Sequence, residues 1–384
     1  MTAKIPKHWK IKKLGEIGVF FKGKGVPKNK ITDTGFKCLT YGDLYTKYDF
    51  VIEGVKSFID KETALISQEI RYGDICFAGS GETLEDIGKC ATFIDDKIGY
   101  AGGDIIVFRT EQNPIVMSYL LNSDIAKKQK FSMGQGHSVV HIYSSQLEML
   151  KLPIPPLKEQ EKIAEILLSC DKAIRLTTQI ITQLKQRNQG LAQQLLTGEK
   201  RVKGFEKSVW KEVRLGEICK ITTGKLDANE MVPNGKYRFY TCAKDYFYIN
   251  KYAFDTEALL ISGNGAYVGY VHYYKGKFNA YQRTYVLDSF IENIRFIKHF
   301  LDKNLKKRIS NEKMEGNTPY IILSTLSEML IHLPSLKEQN AIAQILDTAH
   351  QELKLYEQKL QLLQAQKKTL MQKLLTGEVL TVKK

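Results

Sequence analysis

The chain contains two copies of one sequence pattern, and this internal repeat limits its possible folds more than any other feature. Residues 9–17 (WKIKKLGEI) return as residues 210–218 (WKEVRLGEI), at an offset of 201 residues. Residues 157–160 (LKEQ) return as residues 336–339, at an offset of 179 residues. Both copies close on the sequence LLTGE. Self-similarity over so long a period predicts two copies of one architectural unit.

The two offsets differ by 22 residues, so the first copy is longer than the second in one part. The extra residues lie between the tryptophan motif and LKEQ, whereas the segment from LKEQ to LLTGE keeps its length. Residues 10–150 and 211–330 resemble each other at scattered glycines and at their ends. Each copy is therefore predicted to combine a variable domain with a segment of constant length.

The constant segments have the pattern of long helices. Apolar side chains recur at alternating spacings of four and three residues over 163–195 and again over 342–374. Such a stripe is typical of a helix that packs along a partner of similar length, and the other copy is the obvious partner. Asn188 and Lys367 interrupt the two stripes at the same step. Each residue either fixes the register of the helix pair or lies in a locally exposed gap.

Connectivity predicts the direction of the helices. Residues 200–335 leave the end of the first helix and return to the start of the second, so a compact domain there makes the helices antiparallel. The same symmetry places the C-terminal segment near the start of the first variable domain. The predicted fold is two α/β (α+β) domains joined by two long antiparallel coiled-coil helices, with a pseudo-twofold internal repeat. The predicted boundaries are 1–156 and 200–335 for the domains, and 157–199 and 336–384 for the helices.

The variable domains have the pattern of short strands broken by glycine. Aromatic and β-branched residues dominate five short segments: 74–77, 104–108, 236–240, 258–261 and 281–287. A glycine cluster follows a strand in each domain, Gly79-Ser80-Gly81 in the first and Gly263-Asn264-Gly265 in the second. These glycines make either tight turns or a close backbone approach to a phosphate.

The charge of the chain points to an anionic partner. With 57 Lys and Arg against 42 Asp and Glu, the formal net charge is +15. The sequence has neither a secretory leader pattern nor a membrane-length apolar stretch, so we expect a cytoplasmic protein without membrane contact. The six cysteines lack Cys-x-x-Cys spacing, which predicts reduced thiols and no disulfide framework.

Catalytic motifs are missing or incomplete. The segment Phe77-Ala78-Gly79-Ser80-Gly81 fits the S-adenosylmethionine loop of methyltransferases, but the matching turn in the second domain favours a structural role, and no Asn/Asp-Pro-Pro-Tyr/Phe loop accompanies it. The sequence contains neither a Pro-Asp pair, as in a common nuclease motif, nor a complete Gly-x-x-x-x-Gly-Lys-Ser/Thr phosphate loop. The histidines lack the spacing of a metal site. We therefore expect no catalytic, cofactor-binding or metal-binding site.

The order and duplication of these motifs resemble the specificity (S) subunits of type I restriction-modification systems. The resemblance covers essentially the whole chain. It rests on Trp-x-x-x-x-Leu-Gly-Glu-Ile at the start of each half, on Leu-x-Leu-Pro-x-Pro-x-x-Lys-Glu-Gln before the first helix with a shorter copy before the second, and on LLTGE at the end of each helix. Residues 77–89 and 100–104 are also similar to a target recognition domain of that family.

The resemblance implies a division of labour. Each variable domain would be a target recognition domain for one half of a bipartite, asymmetric double-stranded DNA site. The helices would set the spacing and dock two modification (methyltransferase) subunits, through which restriction (translocase-nuclease) subunits join. S-adenosylmethionine, ATP and Mg would belong to those partners. Two alternatives stay open: the specificity subunit of a fused modification-nuclease system, and a coiled-coil adaptor that binds no DNA.

Polar residues near the glycine turns and before the helices are the candidates for DNA contact. Asn and Gln suit adenine and Arg suits guanine in a major groove. The candidates are Ser80, Lys89, Gln135 and His137 in the first domain, and Asn264, Tyr267, Gln282, Arg283 and Asn317 in the second. Basic runs at matched places, Lys127, Lys128 and Lys130 in the first domain and Lys306, Lys307 and Arg308 in the second, are either phosphate contacts or solvated helix faces.

Overall fold

The computed structural model of the chain describes residues 5–136, 139–312 and 320–381. The chain forms two compact units: unit 1 is Met1–Leu176 with Leu360–Lys384, and unit 2 is Thr177–Lys359. Each unit contains one variable domain, called domain 1 or domain 2, and one half of each long helix.

Unit 1 consists of short strands and helices followed by a long helix. Its strands are β1 Lys10–Lys13, β2 Gly18–Lys22, β3 Ile31–Thr32, β4 Phe36–Leu39, β5 Val51–Ile52, β6 Ser57–Ile59, β7 Gln68–Ile70, β8 Ile75–Ala78, β9 Ser80–Gly81, β10 Cys90–Phe93, β11 Gly99–Ala101, β12 Ile105–Thr110, β13 Val140–His141 and β14 Lys151–Ile154. Its helices are α1 Tyr41–Thr46, α2 Lys61–Ile66, α3 Pro114–Leu121, α4 Asp124–Met133, α5 Ser144–Leu147 and the first half of α6 Leu157–Leu196.

Domain 1 contains two five-stranded sheets with the orders β2-β12-β8-β10-β5 and β3-β6-β4-β11-β7, and the pairs β1-β14 and β13-β9. Apolar side chains alternate along β8, so that Ile75 and Phe77 join one buried cluster and Cys76 joins another. The cluster around Phe77 also contains Val116 and Tyr119 of α3. The central strands are therefore buried on both faces, and α3 covers one of them.

In the described residues, unit 2 has fewer elements than unit 1, and its longest strands are longer. Its strands are β15 Lys211–Arg214, β16 Lys220–Thr223, β17 Tyr237–Tyr240, β18 Phe247–Ile249, β19 Phe254–Ser262, β20 Val271–Ala280, β21 Thr284–Asp288 and β22 Leu330–Leu333. Its helices are α7 Leu215–Ile218, α8 Ile294–Asn311, α9 Leu323–Ser327 and the first half of α10 Leu336–Leu375. Domain 2 has a six-stranded sheet, β16-β21-β19-β20-β17-β18, and the pair β15-β22.

The two domains share one plan and differ in strand continuity. Strand β4 pairs in parallel with β11, as β17 pairs with β20, and both β4 and β17 lead to a threonine, Thr40 or Thr241. The long strands β19 and β20 form one sheet in domain 2, whereas shorter strands in domain 1 belong to two sheets. In the described residues, α1 and α2 have no equivalent in domain 2. The predicted α/β class is confirmed.

The two predicted long helices are present, and each contains 40 residues. At 1.5 Å per residue, each is about 60 Å long. Within unit 2, Lys185 lies 2.9 Å from Glu357, and Arg187 lies 2.7 Å from Glu352. Moving along α6 from Lys185 to Arg187, the contacting residue on α10 moves back from Glu357 to Glu352. The two helices therefore run antiparallel, as predicted.

Both polar residues of the helix stripes are enclosed. Asn188 is buried, and its Nδ2 donates a hydrogen bond to the Ala349 carbonyl at 2.8 Å. Lys367 donates to the Asp171 carboxylate, and its Nζ lies 4.4 Å from the centre of the Phe50 ring. Neither position is an exposed gap, so the interpretation that they fix helix register agrees with the contacts.

The glutamine of the repeated LKEQ motif ties each long helix to its domain. Gln160 accepts a hydrogen bond from the backbone N–H of Asn113 at 2.8 Å, and Gln339 accepts one from Asn293 at 3.0 Å. Each glutamine also donates to the carbonyl of a proline five residues earlier. Asn113 caps α3 and Asn293 caps α8. The motif therefore joins the start of the long helix to the start of the helix that packs on the sheet.

The glutamate of the same motif holds the segment that precedes each domain's first strand. Glu159 lies 2.6 Å from the imidazole Nε2 of His8 and accepts a hydrogen bond from the indole of Trp9 at 3.1 Å. Glu338 is fully buried and accepts hydrogen bonds from Arg201 at 2.8 and 2.7 Å and from Ser208 at 2.7 Å. A buried carboxylate of this kind stabilises the fold only while its donors are in place.

The glycine of LLTGE ends each helix against the tryptophan motif. Gly198 has a φ of +74°, and a Cβ there would lie 3.5 Å from the Trp210 ring. Gly377 has a φ of +71°, and a Cβ would lie 2.2 Å from Pro6 and 3.4 Å from Trp9. Glycine is favoured at both positions because it adopts a positive φ without strain, and at Gly377 it also avoids a clash with Pro6. The C-terminal segment therefore lies beside the start of domain 1, as predicted.

Replacing Gln339 by Ala tests the role of the motif. The substitution removes a buried side chain and leaves the partly buried N–H of Asn293 without its acceptor, so we expect the free energy of unfolding to fall by about 1–3 kcal/mol. Urea unfolding of the full chain measures this change. Gln358→Ala, at an exposed position of the same helix, is the control and should have little effect. Equal effects of the two substitutions would show that the motif glutamine is no anchor.

Candidate nucleic-acid interface

Most candidate residues of domain 2 lie at one end of its sheet. The Gly263 N–H, after β19, donates to the Arg283 carbonyl, before β21, at 2.9 Å. Asn264 pairs with Tyr320 in an isolated β-bridge. Gln282 donates its backbone N–H to the Leu226 carbonyl, which follows β16, at 2.9 Å. Adjacent strand ends therefore form one surface, called here the strand-end surface of domain 2: Asn264, Tyr267, Gln282 and Arg283.

The four side chains of this surface differ in their availability. Arg283 is exposed, and its guanidinium forms no ion pair within the described residues. Tyr267 is 48% exposed, and Asn264 is half-buried. Gln282 donates its side-chain Nε2 to Asp227 at 2.7 Å, which holds it in a local network. Arg283 and Tyr267 are therefore the most accessible groups for a ligand.

The basic run of α8 lies next to this surface. A Cβ on Gly269, in the loop after β19, would lie 2.7 Å from Ile309, which places the last turns of α8 beside that loop. Lys306 and Lys307 are exposed on α8. Arg308 is half-buried, lies 3.3 Å from the Glu312 carboxylate and donates to the Ser324 carbonyl at 3.4 Å. Two of the three cations are thus free to meet an anion.

Domain 1 brings two of its candidates together at the equivalent turn. Ser80 is 5% exposed, and its Oγ lies 3.0 Å from Nδ1 of His141. Gln135 is exposed, and its backbone exchanges hydrogen bonds of 3.0 and 2.7 Å with His141. Lys89 is partly buried and lies 3.8 Å from Asp49. Gln135 is therefore more accessible than Ser80, whose hydroxyl faces the interior.

Two further candidates, His137 and Asn317, lie outside the described residues. The structure places neither side chain, so both stay predictions.

The phosphate-contact interpretation is wrong for Lys130. This residue is 1% exposed, and its Nζ donates to the Gly88 carbonyl at 2.6 Å. Burial lowers the pKa of Lys130 to about 8. It lies four residues after the buried Ala126, on the inner face of α4, whereas Lys127 and Lys128 are exposed. The basic run of domain 1 is thus divided between the core and the surface.

The repeated glycine turns serve the close approach of backbone segments. The N–H groups of Gly79 and Gly263 donate to the carbonyls of Asp104 and Arg283, at 2.8 and 2.9 Å. A Cβ would lie 2.9 Å from the first carbonyl and 2.3 Å from the second. Because these N–H groups already have acceptors, the structure supports the tight-turn interpretation rather than phosphate binding.

A repeated Gly-Lys pair adds two cations that the sequence prediction missed. Gly23 and Gly224 are buried where a Cβ would lie 1.9 Å from a backbone oxygen, and Lys24 and Lys225 follow them at exposed positions. Lys24 follows β2, and Lys225 follows β16 at the strand-end surface. The signal in the sequence was the pair itself, which occurs at the same offset as the tryptophan motif.

The described ranges show two further features. Within residues 5–136, 139–312 and 320–381, no group of three or more His, Cys, Asp or Glu side chains could hold a metal ion. No helix in those ranges combines the length and apolar character needed to cross a membrane.

The candidate residues of both domains include polar and cationic side chains on loops at the end of a sheet. Such an arrangement suits contacts to the phosphates and bases of a nucleic acid.

Comparison with known proteins gives two matches to one family. Residues 6–186 and 207–365 each match the "Type I restriction modification DNA specificity domain". The EcoDI type I restriction enzyme specificity subunit of Escherichia coli is 46% identical over 140 residues, which are 36% of this chain and 31% of that protein. The MjaVIII specificity subunit of Methanocaldococcus jannaschii is 26% identical and covers 98% of this chain and 94% of its own length.

Solved structures agree in fold. The S subunit of a type I restriction-modification system from M. genitalium has a TM-score of 0.69 at 19% identity, over 97% of this chain and 99% of that one. A chain from a study of complex assembly and conformational transition of the type I R-M system has a TM-score of 0.57 at 19% identity, over 98% of this chain and all of that one.

Lys130→Met tests the burial of the Lys130 ammonium. Its pKa in the folded chain, about 8, lies below the value of about 10.4 for an unfolded lysine. Between these values the unfolded chain binds more protons, so wild-type stability should rise with pH relative to the variant. Urea unfolding from about pH 8 to about pH 10 measures the difference. Lys127→Met, exposed on the same helix, should show no such trend. A parallel pH dependence of wild type and Lys130→Met would contradict the assignment.

Proposed function

The chain belongs to the type I restriction-modification DNA specificity family, and on that premise we propose that domain 1 and domain 2 each read one half of a bipartite, asymmetric DNA site. The chain is the DNA sequence-specificity subunit of a type I restriction-modification system. The observation that carries the proposal is that one family domain occurs twice in the chain, on two domains of unequal structure.

Different side chains at equivalent turns support different half-sites. Domain 1 has the buried Ser80 where domain 2 has the half-buried Asn264. Domain 2 adds the exposed Arg283, whose guanidinium suits the O6 and N7 acceptors of guanine in the major groove. Exposed Lys24 and Lys225 at matched strand ends suit the phosphate backbone in both domains. Base contacts would then differ between the halves, while backbone contacts would be shared.

Type I specificity subunits work with DNA and with the other subunits of the restriction-modification complex. For this chain we propose that two modification subunits dock on α6 and α10 and that restriction subunits join through them. Apolar side chains on the outer faces of the helices support this: Leu176, Leu355 and Leu362 are 47%, 58% and 65% exposed. S-adenosylmethionine, ATP and Mg would serve methyl transfer and cleavage in those partners, in the cytoplasm.

DNA binding separates this function from the alternative of a coiled-coil adaptor. A specificity subunit should bind duplex DNA with an affinity that falls steeply with salt, because lysine and arginine displace counterions from phosphates. Fluorescence anisotropy with the full chain, alone and with its partner subunits, measures this dependence. Absence of salt-dependent binding in both preparations would favour the adaptor.

The other alternative is a fused modification-nuclease as the partner of this chain. The genes beside this one would show whether the partner is such a fused protein.

Replacing Arg283 by Gln should relax the reading of one base pair. The loss of a bidentate contact to guanine costs about 1–3 kcal/mol at that position and little elsewhere. Binding to duplexes that carry each base change in the recognised site measures the loss of discrimination. Lys220→Gln, on strand β16, is the control and should leave discrimination unchanged. Uniform weakening across all sequences would show that Arg283 contacts phosphate and reads no base.

A further inference from the structure

Domain 2 has a second aromatic and cationic cluster, on the face of its sheet opposite α8, in which Arg238 and Tyr274 are half-buried. It consists of Arg238 on β17, Tyr248 on β18, Tyr274 on β20 and Tyr246 in the preceding loop, and we call it the tyrosine–arginine face. The Cζ atom of Arg238 lies 4.2 Å from the centre of the Tyr246 ring and 4.5 Å from that of Tyr274. Tyr246 and Tyr248 are 36% and 43% exposed. The cation is thus held in place by two rings at the surface.

The positive charge of Arg238 has no carboxylate partner within the described residues. Its hydrogen bond there is to the hydroxyl of Tyr240, at 3.4 Å. The equivalent residue of domain 1 is Lys37 on β4. Lys37 pairs with Phe58 on β6, as Arg238 pairs with Tyr248 on β18. Lys37 donates to the Asp95 carboxylate. The same position is therefore neutralised in one domain and left charged in the other.

This face is continuous with the strand-end surface of domain 2. The Tyr281 N–H donates to the Tyr240 carbonyl at 2.9 Å. The Sγ of Cys242, two residues further along, donates to the Arg283 carbonyl at 3.3 Å. The loop that carries Tyr246 thus starts beside Arg283 and returns across Arg238. One loop of domain 2 therefore connects the two surfaces.

We propose that the tyrosine–arginine face binds a phosphate of the DNA backbone next to the half-site that domain 2 reads. This inference rests on the proposed function and adds a contact outside the strand-end surface. Arg238 supplies the charge, and the hydroxyls of Tyr246 and Tyr248 are additional donors, which are groups that proteins commonly use on phosphate. The contact carries no base preference, and domain 1 lacks it because Asp95 neutralises Lys37.

The test is the salt dependence of DNA binding by the full chain carrying Arg238→Gln. Each phosphate contact contributes about 0.9 to the slope of log K against log salt, so the slope should fall by about one for any duplex sequence. Anisotropy with a mixed-sequence duplex of about 30 base pairs, from about 50 to about 200 mM salt, measures it. Tyr248→Phe, which removes a hydroxyl and keeps the ring, should weaken binding about two- to tenfold.

Arg295→Gln is the matched control. Arg295 also stacks on a tyrosine, with its Cζ 3.6 Å from the Tyr273 ring centre, but on the α8 side of the sheet, where the Tyr273 hydroxyl donates to Glu257 at 2.5 Å. The slope of log K against log salt for Arg295→Gln should match that of the wild type. Salt-dependent wild-type binding with an unchanged slope in Arg238→Gln would overturn this inference and leave the proposed function intact. Wild-type binding without salt dependence would overturn both. Circular dichroism of each variant excludes misfolding as the cause of a loss.

Discussion

The hydrogen bonds of Gln160 and Gln339 to the capping segments of α3 and α8 are the interaction on which the rest of the structure depends. Each glutamine is buried and accepts a hydrogen bond from the backbone N–H of an asparagine, which caps the helix that packs on the sheet. The neighbouring glutamate holds the segment before the first strand. Three parts of the chain far apart in sequence thus meet at one turn of a long helix. A variable domain can change its strands and loops while this junction keeps it attached in one way.

Next to this shared junction, the two units use different polar groups at equivalent places. The sixth residue after the capping asparagine is Tyr119 in unit 1 and His299 in unit 2. Tyr119 donates to Asp171, which also binds Lys367. His299 lies 2.9 Å from Asp347, and its ring stacks on that of His350. Burial lowers the pKa of His299, which favours its neutral form. The backbone plan is conserved between the units, while the side chains that fill it are specific to each.

The sequence predicted the helices and domains, which follow from periodicity and from the repeat. It did not predict which polar side chains are buried. The spacing of four and three residues predicted two long helices, the connectivity predicted that they run antiparallel, and the repeat predicted two domains. Lys130 looked like a surface cation because charge alone says nothing of its place opposite Gly88. Ser80 looked accessible because its partner His141 is distant in sequence. The role of the LKEQ glutamines was also not predicted, since the asparagines that they anchor lie 47 and 46 residues away in sequence. Tertiary contacts of this kind are not encoded in local pattern.

Two unequal readers on one shared plan are the central claim, and sequencing of methylated bases in DNA tests it most directly. The DNA should come from a host that carries this chain with its partner subunits, compared with the same host lacking the chain. The account predicts one methylated motif with two different halves separated by an unread spacer, present in the first host alone. A continuous motif, two identical halves, or the same methylation in both hosts would contradict it.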